Sequence, residues 1–209
     1  RNMSLQQLAA EQQQQQQQRD DDQQNNDENR AAVGGEHPRE ELGELLELIP
    51  LGAGSEVGRS CIVASFFEGK KNVMFDCGIH PGFSGLSSLP YFDEIDVSAI
   101  DVLLVTHFHL DHCAAVPFLV NRTNFKGRVF MTHATKAIFH MLMSDFVRLS
   151  ARQQPKANGE AKEEEEDETQ LWDAKDLKAA MDKIEVIDFH QEINIDGIKV
   201  TPYRAGHVL

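Results

Sequence analysis

Thr106-His107-Phe108-His109-Leu110-Asp111-His112-Cys113 sets three histidines and a carboxylate into six consecutive positions, directly behind the apolar run Val102-Leu103-Leu104-Val105. A run that short and β-branched predicts a buried strand, so the cluster lies where the strand runs out into a loop. Neutral imidazole and carboxylate are ligands that suit Zn²⁺. His107 and His109 are two apart, and in extended backbone both point to one side. Asp111 and His112 then come round the turn, offset from the first pair, where they would serve a second ion. A solitary histidine on an apolar face is ordinarily a hydrogen-bonded core residue. Four potential ligands in six positions make a metal site.

The neighbouring segments read as alternating strands and helices. Residues 45–50 predict a first strand, followed by the glycine loop Gly52-Ala53-Gly54-Ser55-Glu56-Val57-Gly58. A dinucleotide-binding loop would have to open a helix. Residues 61–67 are β-branched and aromatic instead, which is strand chemistry. Residues 72–75 predict a strand that delivers Asp76 in front of the turn 78–82. Downstream, residues 113–120 predict a short buried helix and 128–133 a strand. Residues 134–150 predict a helix with Ile138, Leu142 and Phe146 down one face and with Met141 and Met143 as core filler. A helix over 176–183 precedes strands at 184–189 and 198–203, the second leading to Gly206-His207. His133, at a strand end, is ambiguous. His37, His80, His140 and His190 lack ligand-like neighbours and read as structural or surface residues.

The chain has 209 residues and a formal charge of -14. That charge is unevenly spread: residues 1–47 carry -7, residues 151–176 carry -5, and the rest only -2. Nothing supplies a basic stripe of the kind phosphate binding favours, and a nucleic-acid partner stays open. Residues 1–44 form a Gln/Asp-rich tail with almost no apolar residue to nucleate a core, and predict disorder. Residues 153–169, with the run Glu163-Glu164-Glu165-Glu166-Asp167-Glu168, predict a solvated acidic insert. No apolar run approaches the ~18 residues of a membrane span, and no secretory signal is evident, so no membrane partner is expected. Cys61, Cys77 and Cys113 are odd in number and far apart, which fits reduced thiols. Cys113 reads as packing. The chain begins at Arg1 and stops inside a motif at Leu209, which reads as a fragment or an incomplete gene model.

The H-x-H-x-D-H pattern resembles the signature of the metallo-β-lactamase superfamily. Further words narrow the resemblance: Pro50-Leu51-Gly52-Ala53-Gly54-Ser55-Glu56-Val57-Gly58-Arg59-Ser60-Cys61, Asp76-Cys77-Gly78-Ile79-His80-Pro81-Gly82, Phe125-Lys126-Gly127-Arg128, Met131-Thr132-His133-Ala134-Thr135-Lys136-Ala137 and Ala205-Gly206-His207-Val208-Leu209. In that order they are similar to the β-CASP branch, and within it to the endonucleases that cut pre-mRNA 3′ ends before polyadenylation. The similarity starts near residue 48 and is broken only by the insert. It implies an α/β fold, the αββα sandwich, with residues 45–209 as its truncated N-terminal portion and the β-CASP domain absent.

The resemblance also implies a zinc centre. His107, His109 and His207 would hold one ion, Asp111 and His112 a second, and Asp76 would orient ligands or the nucleophilic water. The family places an RNA endonuclease of this kind in the nucleus, with single-stranded pre-mRNA as substrate and the other subunits of a cleavage and polyadenylation complex as partners. A bridging aspartate, a last histidine and the histidine that protonates the leaving oxygen are not found in these residues. They are therefore expected to hold at most one zinc firmly and, alone, not to cut RNA. An Integrator-type endonuclease has nearly the same motifs, but Ile79-His80-Pro81-Gly82 and Leu89-Pro90-Tyr91 resemble the polyadenylation enzyme more. Small-molecule hydrolases of the superfamily do not share the words at 51–59 and 76–82. A metal-free scaffold would have no need of H-x-H-x-D-H.

Overall fold

Short β-branched runs alternate their side chains between two faces, and six of them pair into one sheet in a computed structural model that describes residues 46–66, 70–153 and 171–208. The acidic tail and the acidic insert lie outside the described residues. The strands are β1 (Leu46–Gly52), β2 (Cys61–Phe66), β3 (Lys71–Phe75), β4 (Val102–Leu104), β5 (Arg128–Met131) and β6 (Ile184–Val186), and their spatial order is their sequence order. The first three form an antiparallel meander, whereas β3 to β6 run parallel. Phe75, Leu104 and Phe130 are aligned across β3, β4 and β5, so the chain leaves all three strands at one rim. Open parallel sheets place ligands at that carboxyl rim.

One face of the sheet packs under four helices: α1 (Leu110–Cys113), α2 (Val116–Arg122), α3 (His133–Gln153) and α4 (Ala174–Lys183). Leu51, Val63, Met74, Leu103 and Val129 from the sheet meet Val116, Leu119, Phe139, Met143 and Leu177 there, all buried. Each such side chain contributes about 1.5–3 kcal/mol on burial. Asp173 caps α4 through a reciprocal bond with Asp176, so that helix starts earlier than the apolar pattern suggests. The other face carries a separate hairpin, β7 (Ile193–Ile195) and β8 (Ile198–Val200), packed over Val73, Val102 and Phe130. Leu46, Leu48, Ile62 and Phe66 on that face remain exposed. No described helix is long and apolar enough to cross a membrane.

Several local expectations need correction. The segment 113–120 is not one helix. α1 ends at Cys113, Ala114 and Ala115 form a turn, and α2 begins at Val116 with Pro117, which has no N–H to donate, in its first turn. Asp111 and His112 consequently sit in the single helical turn of α1 rather than in a loop. Ala114 has φ -71°, so alanine fits without strain. His133 opens α3 instead of ending β5, and Met141 is exposed where Met143 is buried. The strand at 184–189 stops at Val186, because Asp188 to Gln191 form a turn with His190 at φ 64°. The strand at 198–203 stops at Val200, before Pro202, and pairs with β7, which the alternation did not reveal. The Asp196-Gly197 turn, with both residues at positive φ, was the available signal.

The words around residues 52–59 and 79–91 are joined by one buried arginine. Arg59 donates to both carboxylate oxygens of Glu56, to the Ser87 and Leu89 carbonyls and to the Tyr91 hydroxyl, and lies over the Tyr91 ring at 4.4 Å. The loop that presents it turns so tightly that a Cβ on Gly52 would lie 2.0 Å from the Arg59 carbonyl oxygen. Arg59→Met fills the same space but leaves two carbonyls and a phenol without their donor. It should destabilise the fold by about 2–3 kcal/mol, at roughly 1 kcal/mol per lost hydrogen bond. Urea denaturation with an unchanged m-value would show this, and an unshifted midpoint would disprove it.

Candidate metal centre

Asp76 is delivered by β3 to the rim in a left-handed conformation, φ 61°, which aspartate tolerates better than most residues. Its backbone N–H donates to Leu104 across the parallel ladder at 3.0 Å. The buried carboxylate is fully engaged. Oδ1 accepts the Thr106 N–H at 2.8 Å and the Thr106 hydroxyl at 2.9 Å, while Oδ2 faces His112 Nδ1 at 2.7 Å. The Thr106 oxygen in turn lies 2.9 Å from His107 Nδ1. Threonine has a single hydroxyl proton. With that proton on Asp76, the Thr106 oxygen accepts from His107 Nδ1–H.

One carboxylate therefore fixes two imidazoles, His112 directly and His107 through Thr106. The hydrogen-bond pattern assigns both protons to Nδ1 and leaves both Nε2 atoms as ligand lone pairs. The His112 pKa is raised above the ordinary imidazole value, chiefly by its bond to Asp76. His107, 7% exposed, is pushed the other way, first by burial and then by the charge of His112. Thr106 was not singled out from the sequence. A hydroxyl at a strand end, immediately before a ligand histidine, was its only signal.

His107, His109 and His207 come together, one ligand atom from each lying within 4.8 Å of the others. His107 Nε2 and His109 Nδ1 are 3.0 Å apart, and the His207 ring centroid is 5.0 and 5.3 Å from theirs. His207 reaches the rim from an irregular stretch after β8, with Gly206 at φ 82° just before it. Asp111 and His112 stand beside this trio: Asp111 Oδ2 is 3.6 Å from His112 Nε2, and the His112 ring centroid is 4.1 Å from that of His107. Asp76 does not point a lone oxygen at either position. Three converging imidazoles with two adjacent donors fit a small borderline divalent cation.

Replacing Asp76 by Asn tests the support without breaking the backbone, since Asn also accepts positive φ. The amide cannot take both the Thr106 hydroxyl and the His112 N–H. Zinc affinity, measured by competition with a chromophoric chelator, should fall about 10–100-fold. An unchanged affinity would show that the histidines hold their orientation unaided.

Cys113, next to the cluster, is buried, donates to the Phe108 carbonyl at 3.3 Å and has its thiol pKa raised by burial, so it acts as packing. His80 accepts from Gly82 N–H, His190 stacks edge-on to Tyr203, and His140 is exposed on α3; His37 lies outside the described residues. A cleft of about 380 Å³ opens beside His107 and His207, floored by Phe75, Phe130 and Ile187 and walled by Tyr203 and Arg204.

Residues 55–190 match the family model described as the metallo-beta-lactamase superfamily. The chain is 55% identical over 174 residues to cleavage and polyadenylation specificity factor subunit 3-I of Arabidopsis thaliana, covering 83% of this chain and 23% of that protein. It is 54% identical over 166 residues to endoribonuclease ysh1 of Schizosaccharomyces pombe, covering 79% and 20%. Cleavage and polyadenylation specificity factor subunit 3 of Dictyostelium discoideum is 52% identical over 168 residues, covering 79% and 20%. The chain thus spans about a fifth of the length of the curated relatives it matches. With a mixed sheet, helices on one face and a histidine cluster at its carboxyl rim, the chain belongs to the metallo-beta-lactamase superfamily.

Proposed function

We propose that this chain is the metal-holding part of a zinc-dependent endoribonuclease that cleaves pre-mRNA 3′ ends before polyadenylation. The observation that carries it is the convergence of His107, His109 and His207 at the sheet rim, with His107 and His112 both set by Asp76. The names of the relatives, endoribonuclease ysh1 and cleavage and polyadenylation specificity factor subunit 3, support the substrate class.

His107, His109 and His207 would hold one zinc ion, and Asp111 with His112 would contribute to a second. Two zinc ions at such a site supply a nucleophilic water near neutral pH and stabilise the attacking and leaving oxygens of a phosphodiester. The protein's own part is orientation. Asp76 keeps the Nε2 atoms of His107 and His112 aimed into the site, and burial lowers the His107 pKa, which favours its neutral, ligating form. Single-stranded pre-mRNA is the substrate, the remaining subunits of a cleavage and polyadenylation complex are the partners, and the nucleus is the location. The test is cleavage of a single-stranded RNA spanning a 3′ end by the full-length chain. Cutting should stop with a chelator and return with zinc. Chelator-resistant cutting, or turnover of a small ester or lactam with no RNA cleavage, would overturn the assignment.

A further inference from the structure

Among the arginines whose side chains are described, Arg59, Arg122, Arg128 and Arg148 each face a carboxylate: Glu56, Asp176, Glu185 and Asp145 respectively. Arg204 faces none among the described residues. It is exposed, three positions before His207, and lines the cleft with His107 and His207. Its guanidinium lies over the Phe189 ring, 5.4 Å from the centroid. The group is exposed and meets no carboxylate among the described residues, so its N–H groups are available to grip a phosphate in a fork. Tyr203, on the same wall, is 68% exposed. It packs roughly perpendicular to the His190 ring at 5.1 Å, and the His190 N–H donates to the Pro202 carbonyl at 2.8 Å, so the ring is braced while most of its surface stays exposed. An exposed aromatic ring next to an unpaired fork is the equipment of single-strand binding, base on ring and phosphate on cation.

We propose that Tyr203 and Arg204 grip the RNA strand beside the cut, Arg204 taking a backbone phosphate and Tyr203 a base; this rests on the endoribonuclease function proposed above. The folded stretches of these residues are close to charge-neutral, and Arg204 is the fixed cation lining the described cleft. His107 and His207 on the same cleft put the phosphodiester next in line within reach of the metal position.

The test uses the full-length chain and a fluorescein-labelled single-stranded RNA. Anisotropy is read in the cold between about 50 and 200 mM salt, with a gel confirming that the RNA stays intact. Arg204→Gln should weaken binding about tenfold and flatten the plot of log affinity against log salt by about 0.7, the increment of one single-strand phosphate. Arg204→Lys should keep the wild-type slope. Tyr203→Leu should weaken binding by about five- to tenfold with no change of slope, because stacking releases no counterion. Zinc content should be the same in all of them. If the unaltered chain binds and cuts RNA while Arg204→Gln matches it in affinity and slope, the proposal is wrong and the endoribonuclease function stands. Loss of zinc from Arg204→Gln would also overturn it, since the residue would then act through His207. If the unaltered chain neither binds nor cuts RNA, the function itself fails and this contact with it.

Discussion

The 209-residue chain should purify with at most about one zinc ion per molecule, and His107→Ala should reduce that to background. The expectation follows from counting donors. Three imidazoles converge at one position, which leaves a tetrahedral ion a fourth place for water. The neighbouring position has Asp111 and His112 only, 3.6 Å apart, and no further group of three donors exists among the described residues. His107 is the member that cannot be spared. It is buried, its tautomer is fixed by Thr106, and it touches the rings of His109, His112 and His207. Its loss should exceed the 10–100-fold drop that removing a mere supporting partner causes. These residues on their own should not cut RNA, because the second position lacks the donors to keep an ion. Metal analysis after gel filtration, alongside an RNA cleavage assay, decides the matter. Two tightly held ions with chelator-sensitive cutting would mean that donors not identified here complete the second position.

Gly78→Ala should abolish the fold around the rim, with a loss of about 4 kcal/mol or more, a value at the exceptional end for a single substitution. The reason is backbone contact, since Gly78 is not at a positive φ. An alanine Cβ there would sit 1.8 Å from the Asp111 carbonyl oxygen and 2.5 Å from the His112 nitrogen. Those atoms cannot rotate away. They belong to a lacing in which Cys77 N–H donates to the His112 carbonyl, Ile79 N–H to that of Leu110 and Ser60 N–H to that of Asp111. Moving α1 by the required distance would break all three bonds and pull His112 off Asp76. Gly82→Ala is the control, because its Cβ would meet only the end of the His80 ring at 3.1 Å, which can swing aside. The expected result is an insoluble or molten Gly78→Ala protein next to a Gly82→Ala protein within about 1 kcal/mol of wild type. A well-folded, zinc-loaded Gly78→Ala would show that the loop can separate from α1.

What was legible in the sequence was local. The ligand cluster is dense enough to be seen without a fold, and Val102 to Val105 tells where it hangs because a buried strand has few other sequences. The glycine loop at 52–58 was placed correctly before a strand by the chemistry of Cys61 to Phe66. The resemblance supplied His207, which no periodicity could have tied to His107. The less legible parts depend on backbone conformation and on distant partners. Asp76 at positive φ, Thr106 as the link between a carboxylate and an imidazole, and Arg59 reaching to residues 87–91 each need three-dimensional neighbours. The break at Ala114 and Ala115 was hidden because two apolar helices in a row look like one, and Pro117 was the residue to weigh more heavily. Hairpin β7–β8 was hidden by strands only three residues long.

The joining of His107 and His109 with His207 also makes an ion at this site a covalent-like staple across the chain. It would close a loop of about a hundred residues, and in the unfolded ensemble such a closure costs about 4 kcal/mol of chain entropy. Because that entropy grows only as the logarithm of loop length, the acidic insert of residues 153–169, which lies inside the loop, changes it by about 0.2 kcal/mol. A staple placed this way is nearly indifferent to how much sequence is threaded through it. The stretch between α3 and α4 can therefore lengthen and change composition without loosening the hold of the three histidines on one another.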